Sequence, residues 1–258
     1  MRILRSGIVL AVMGLGLSLG TLSTSAQTDD GRYYPVVQII SYDMLHGTYP
    51  EMLGWGSASV VDDSGLLVSN NHVVVDGQDK EVDAFSICVT TSRAERPDCR
   101  FTAHVLDRDS TKDLSVLRID PTDIFGEPVD FSLFRSLEIA DDSELPDNLS
   151  SVTAVGYPWI GADTVSETTG IVSGTIEYNN AKYIKSDATI AGGNSGGALL
   201  DADGRLVGIP TFTIGYDTSL GYALWIGEAR DFIENAAKNE ATQKDSDTAF
   251  RENRRIVE

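Results

Sequence analysis

Gly192-Gly193-Asn194-Ser195-Gly196-Gly197 sets one serine inside a run of glycines, between the strand-like stretches Lys182 to Ser186 and Gly197 to Leu200. Glycine lets the backbone turn sharply and removes side chains that would block approach to the serine hydroxyl and the neighbouring amides. Acyl transfer uses this combination: a nucleophile, a base to take its proton, and donors aimed at the charge that develops on the attacked carbonyl. A tight turn with a solvent-exposed serine has the same local sequence, so the segment must be weighed with the rest of the chain.

Residues 193–197 also fit the G-x-S-x-G elbow of α/β-hydrolases, in which the histidine follows the serine. Here His46, His72 and His104 all precede Ser195. That order excludes the elbow and matches the chymotrypsin order of His, Asp, Ser. The pattern around it agrees. From Tyr34 to about Leu224, short runs of Val, Ile, Leu and Thr alternate with turns rich in Gly, Asp, Asn and Pro, which predicts an all-β fold. Two hairpins are legible, one turning through Asp62-Asp63-Ser64-Gly65 and one through Asp201-Ala202-Asp203-Gly204. Further strands are expected over 82–90, 100–106, 114–119, 152–155, 170–177 and 182–186. The stretch Asp120 to Asn148, broken by Pro121, Pro128 and Pro146, is the best connection between two β units, about 34–120 and 146–226. A helix is expected at about 227–239, followed by a loose polar tail over 241–258.

His72 ends the run Leu66 to Asn71, where a strand meets a turn, a natural place to present a base. His104 falls inside a strand pattern and His46 in a loop, and both are expected to be structural or surface residues. Asp113 stands before the apolar run Leu114 to Ile119, where partial burial would let a carboxylate hold an imidazole tautomer. Asp107 and Asp109 are its competitors, set in a polar connection that looks solvated.

Three stretches in this order resemble the HtrA/Deg family of trypsin-like serine proteases: Gly56-Ser57 through Ser69-Asn70-Asn71-His72-Val73, Lys112-Asp113-Leu114-Ser115-Val116-Leu117, and Ser186-Asp187-Ala188 through Gly193-Asn194-Ser195-Gly196-Gly197. The likeness takes in most of residues 35–225. It implies two six-stranded-type β-barrels with a carboxyl-terminal helix, the site lying in the cleft between the barrels. His72 would be the general base, Asp113 its orienting acid and Ser195 the nucleophile, with the backbone amides of Gly193 and Ser195 as the oxyanion hole. The pocket for the residue on the acyl side of the cut bond would be walled by Thr189, Ile190 and the stretch Ile209 to Phe212, Thr211 included. None of these is charged, which implies a small or medium aliphatic preference, with Asp217 as the one carboxylate that a loop could fold back. Ala58, Ser59, Ala198 and Pro210 depart from the family's usual residues without removing a catalytic group. No room is expected for the PDZ domain that many members carry, and Tyr33 and Tyr34 are a weak hint of an aromatic homo-oligomer interface. The implied activity is an endopeptidase acting on polypeptides. A catalytically quiet peptide binder and an esterase are the other outcomes compatible with these residues.

Arg2 and Arg5, the apolar run from Ile8 to about Leu22 and the small residues to Ala26 read as a secretory signal peptide, residues 1–26, with an uncleaved anchor as the alternative. The expected destination is the periplasm or the extracellular space, with no membrane contact after cleavage. The protease-like unit would then span 27–240. The formal charge is −19, and the leader contributes two arginines and no acid, so the remainder is more acidic still. Nucleic acid and anionic membranes are poor partners for such a chain. Cys88 and Cys99 flank a polar stretch between strand-like runs, consistent with a disulfide across a hairpin or with two free thiols. Two cysteines without nearby histidines make an incomplete metal set, so no metal and no cofactor are expected.

Overall fold

The two predicted hairpin turns are built by the same device. Asp62 Oδ1 accepts the amides of Ser64 and Leu66 at 2.9 and 2.8 Å, and Asp201 Oδ1 accepts those of Asp203 and Arg205 at 2.9 Å each. The glycine that closes each turn, Gly65 or Gly204, has φ near +81°, a conformation that a Cβ would strain. In this computed structural model, which describes residues 33–45, 49–141, 145–159, 164–213 and 220–257, those hairpins seed two β units. His46, Asp217 and the leader fall outside the described residues.

In the first unit β1 (Val36–Leu45), β2 (Tyr49–Val60), β3 (Leu66–Ser69), β4 (Ala84–Val89), β5 (Asp98–Phe101), β6 (Ala103–Asp109) and β7 (Leu114–Ile119) form one antiparallel sheet in the order β5-β4-β1-β2-β3-β7-β6. The second unit is a closed six-stranded barrel of β8 (Ser151–Gly156), β9 (Ser166–Tyr178), β10 (Ala181–Ser186), β11 (Ala198–Leu200), β12 (Leu206–Thr213) and β13 (Gly221–Trp225). The mostly-β, chymotrypsin-like fold is thus as the sequence led us to expect, with one difference in the first unit. It is a curled half-barrel. Its edge strands β5 and β6 are consecutive in the chain and separated only by Thr102, so the single strand expected over 100–106 is in fact two. Phe101 pairs with Ile87 on one edge and Ala103 with Ile119 on the other. The Thr102 hydroxyl donates to Asp120 at 2.6 Å at this corner.

Between the units, the connection over 120–148 is pinned to both. Leu137 donates its amide to Val60 at 2.8 Å, while Leu206 donates to Glu138 at 2.8 Å and Ala140 to Leu206 at 3.0 Å. Phe134, Leu137 and Ala140 are buried along it. Tyr33 packs edge-on against Phe101 and Phe134 at 5.7 and 5.0 Å between ring centroids. Tyr157, fully buried after β8, crosses from the barrel to the sheet: its hydroxyl lies 2.9 Å from Thr90 Oγ1 and 3.3 Å from the Val36 carbonyl. Burial pushes its phenol up to about 12.

Helix α2 (Arg230–Val257) corrects the expected loose tail. Half of the residues from Glu240 to Val257 are Ala, Glu, Lys, Gln or Arg, with no Gly or Pro among the rest, and such a stretch continues a helix that is already nucleated and docked. Its dock is the guanidinium of Arg118 on β7, which donates to Glu240 at 3.0 and 2.8 Å and to Asp62 at 3.2 Å. Arg118 and Glu240 side chains are only 12% and 9% exposed. Burial alone would raise the Glu240 carboxyl, yet the hydrogen bonds from Lys244 and Arg118 leave it below its ordinary value near 4.5. A depressed carboxylate contributes stability that is present above the unfolded value and lost as pH falls through the folded one. Glu240→Gln should therefore lower unfolding free energy by about 1–3 kcal/mol at pH 7. Urea titrations should find the gap between variant and parent closing below about pH 4.5. Cys88 and Cys99 are bonded, tying β4 to the edge strand β5. In the chain-entropy model a loop this short stabilises by about 2–3 kcal/mol, and reduction is expected to lower the Tm while leaving far-ultraviolet circular dichroism at ambient temperature unchanged.

Candidate active site

The end of β3 turns directly into the short helix α1 (Asn71–Val74), and this places His72 on the rim of the sheet with its side chain 49% exposed. Asp113 occupies the turn between β6 and β7 with φ +54°, a left-handed conformation that aspartate tolerates better than most residues. Its carboxylate grips His72 twice. Oδ1 accepts the His72 backbone amide at 2.8 Å, and Oδ2 lies 2.6 Å from Nδ1. A carboxylate only accepts, so Nδ1 carries a proton, and in the neutral imidazole Nε2 is the nitrogen with the lone pair. Behind them Asn70 Nδ2 donates to the Asp113 carbonyl at 2.8 Å and to Thr211 Oγ1 at 3.3 Å, and Ser115 Oγ donates to the Asn70 carbonyl at 3.0 Å. The negative end of this pair is felt by Tyr183, whose phenol is pushed up to about 12, first by burial and then by the charge of Asp113.

Ser195 stands between Gly193, φ +98°, and Gly196, φ +82°. A Cβ on Gly193 would lie 2.3 Å from the Tyr157 carbonyl, and one on Gly196 only 2.1 Å from Ser69 Oγ. Ser195 Oγ makes one long hydrogen bond, 3.4 Å to the Thr211 carbonyl, so its hydroxyl is barely committed. Pro210, where an amide is missing, still accepts from Gly196 N–H through its carbonyl at 2.9 Å. The amides of Asn194, Gly196 and Gly197 are all used within the fold, whereas those of Gly193 and Ser195 donate to no group among the described residues. The Gly192 carbonyl is held by the Trp159 amide at 2.7 Å. Because a trans peptide points its N–H opposite its C=O, that bond orients the Gly193 N–H away from Trp159. His72, Gly193 and Ser195 all border one cavity of about 270 Å³.

The residues that lock this arrangement were assigned no role from the sequence, although Ser57 and Ser69 fall within the stretches that carry the resemblance. Ser57, fully buried on β2, uses every polar group it has. Its hydroxyl donates to the Gly193 carbonyl at 2.8 Å and accepts from the Tyr157 amide at 2.9 Å. Its own amide donates to the Ser195 carbonyl at 2.8 Å, and its carbonyl accepts from Ser69 Oγ at 2.7 Å. The available signal was a serine at an inward-facing strand position beside Gly56, where an apolar residue would be the default. The expected acyl-side wall behaves differently from a lined slot. Ile190 is buried against Gly221, Thr211 Oγ1 donates to the Ile209 carbonyl at 2.8 Å, and the exposed Thr189 gives its carbonyl to Thr168 Oγ1 at 2.9 Å. None of the three borders the cavity at Ser195. His104 sits on β6 with Nδ1 2.7 Å from Asp120 in an exposed pair, and it does not border the cavity at Ser195. Asp107 and Asp109 bond local amides of Arg108, Thr111 and Lys112.

Comparison with known proteins agrees with this geometry, the profile of the trypsin-like peptidase domain matching residues 56–209, more than half of the chain. The chain belongs to that family. It is related to the HtrA/DegP serine proteases. It is 32% identical over 185 residues to a putative serine protease HhoA of Synechocystis, covering 69% of this chain and 41% of that protein. It is 30% identical over 193 residues to a probable periplasmic serine endoprotease DegP-like of Rhizobium meliloti, covering 71% and 33%. To the mitochondrial serine protease HTRA2 of Drosophila pseudoobscura pseudoobscura it is 29% identical over 215 residues, covering 79% and 45%. The chain thus spans less than half the length of these relatives. A crystal structure of the serine endoprotease from Yersinia pestis superposes with a TM-score of 0.61 at 24% identity, covering 82% of this chain and 66% of that one, a likeness of fold.

Ser57→Ala should leave the Gly193 carbonyl and the Tyr157 amide buried without a partner. We expect a loss of about 2–3 kcal/mol in urea unfolding, and partial recovery in Ser57→Thr, which keeps the hydroxyl, would identify the hydrogen bonds rather than the volume as the cause.

Proposed function

We propose that this trypsin-like member is a serine endopeptidase that hydrolyses peptide bonds in unfolded or damaged polypeptides through an acyl-enzyme. The observation that carries this is the His72–Asp113 pair at 2.6 Å opening on the same cavity as Ser195. His72 Nε2 takes the Ser195 proton as Oγ attacks the carbonyl carbon. The imidazolium is stabilised by Asp113 and returns that proton to the departing amine. The uncommitted amides of Gly193 and Ser195 receive the oxyanion, a contribution on the order of 10²–10³ in rate for one such donor. Water then repeats the sequence on the ester. Toward β12 the described walls, Ile190 and Thr211, are buried and uncharged, which favours a small aliphatic residue on the acyl side and offers nothing to compensate for desolvating Arg or Lys. The leader-like residues 1–26 and the Cys88–Cys99 bridge support export to the periplasm or the extracellular space.

Degradation of unfolded casein, with cleavage sites read by mass spectrometry, tests this directly. Ser195→Ala and His72→Ala should each reduce the rate by about 10⁴ or more, and the double variant by little beyond that, since nucleophile and base act as a unit. Asp113→Asn should fold and be similarly impaired. Near-parental turnover in Asp113→Asn would sink its role, and absence of fluorophosphonate labelling at Ser195 with peptide binding retained would sink the enzyme.

A further inference from the structure

The cavity at Ser195 is walled by side chains that no step of hydrolysis uses. Leu53, Trp55, Val73, Val75 and Trp159 line it together with Ser41, whose hydroxyl is spent on the Val73 carbonyl, and among the described residues His72 is its only titratable border. The two indoles stand 5.2 Å apart between ring centroids. Trp159 leans on the Gly192–Gly193 backbone, close enough that a Cβ on Gly193 would come within 2.8 Å of it. Leu53 and Trp159 are 45% and 61% exposed, so this apolar wall is open to an incoming chain. At about 270 Å³ it falls below the range of about 300–1,000 Å³ for pockets that take drug-sized ligands, and suits one side chain.

Stereochemistry says which side chain. A carbonyl carbon bonded to Ser195 Oγ directs its oxygen toward the Gly193 and Ser195 amides, its leaving nitrogen toward the histidine that protonates it, and its acyl chain in the third direction. A cavity bordered by Gly192 and Gly193 on one hand and by His72 on the other lies opposite that third direction. Strand β12, whose Thr211 carbonyl accepts from Ser195 Oγ, contributes nothing to the cavity. We propose that the Trp55–Trp159 cavity binds an apolar side chain, aromatic or branched aliphatic, on the residue that leaves with the amine. This rests on the endopeptidase function above and adds a selectivity on the far side of the cut bond.

Transfer of an acyl group to added amines reads that side alone. The amine attacks the ester of Ser195, the C–N bond forms, the bond from the carbonyl carbon to Oγ breaks, and the proton lost by nitrogen passes through His72 to Oγ. The full chain is acylated with p-nitrophenyl acetate, whose released p-nitrophenol measures acylation, and is then offered glycinamide, leucinamide and phenylalaninamide at equal concentration. Leucinamide and phenylalaninamide should capture the acetyl group about tenfold more than glycinamide. In Trp159→Ala, and separately in Leu53→Ala, that ratio should fall several-fold, the ratio within each variant cancelling any change in acylation. Equal or undetectable capture of the three amides by a protein that releases p-nitrophenol in a Ser195-dependent burst overturns the inference and leaves the function standing, as does an unchanged ratio in both variants. No Ser195-dependent burst overturns the function, and the inference with it.

Discussion

Ser57 is the point at which the two β units are made to share one geometry. A single buried serine on β2 holds the carbonyls of Gly193 and Ser195 and the amide of Tyr157 through three hydrogen bonds of 2.8–2.9 Å, and a fourth bond from Ser69 fixes its own carbonyl. Such groups have no water to fall back on, so each is worth more as a constraint than as net stability. The Ser195 loop is thereby registered against the strand that leads, through β3, to His72. Tyr157 adds a second tie in the same place, its hydroxyl reaching Thr90 and the Val36 carbonyl from the barrel side.

Once the loop is registered, glycine becomes obligatory rather than convenient. Gly193 and Gly196 adopt positive φ, and at both a side chain would collide with backbone or with Ser69. The amides of Asn194 and Gly197 are used by turns within the loop and that of Gly196 by Pro210, whereas those of Gly193 and Ser195 donate to no group among the described residues. Trp159 takes part twice, through its amide on the Gly192 carbonyl and through its ring on the cavity wall. Orientation of the amides and shape of the cleft are therefore mechanically linked.

The histidine side is held with comparable economy. Asp113 binds both the ring and the backbone of His72, and Asn70 and Ser115 hold the turns on which the two sit. Asn70 also reaches Thr211 on β12, so Asp113, His72 and the strand beside Ser195 belong to one hydrogen-bonded set. Away from the site, Arg118 binds Asp62 in the first hairpin turn and Glu240 on α2, docking the carboxyl-terminal helix on the sheet rather than on the barrel it follows in sequence.

The linear chain by itself determined the elements whose cause is local. Turn chemistry at Asp62 to Gly65 and Asp201 to Gly204, apolar runs such as Leu114 to Ile119 and the glycine-rich turn at Ser195 are properties of neighbours in sequence, and the order of His72, Asp113 and Ser195 is read directly along the chain. The curling of the first sheet was not legible, because Phe101 and Ala103 look like one strand until their partners, Ile87 and Ile119, are known. The helix beyond residue 239 was hidden for a related reason: a polar stretch without periodicity reads as a tail unless a distant group such as Arg118 docks it. Ser57 and the Trp55–Trp159 cavity belong to the same class. A serine in a strand or a tryptophan in a loop has no assigned task until residues about a hundred positions apart are brought into contact, and only tertiary packing, which no local pattern encodes, makes those contacts.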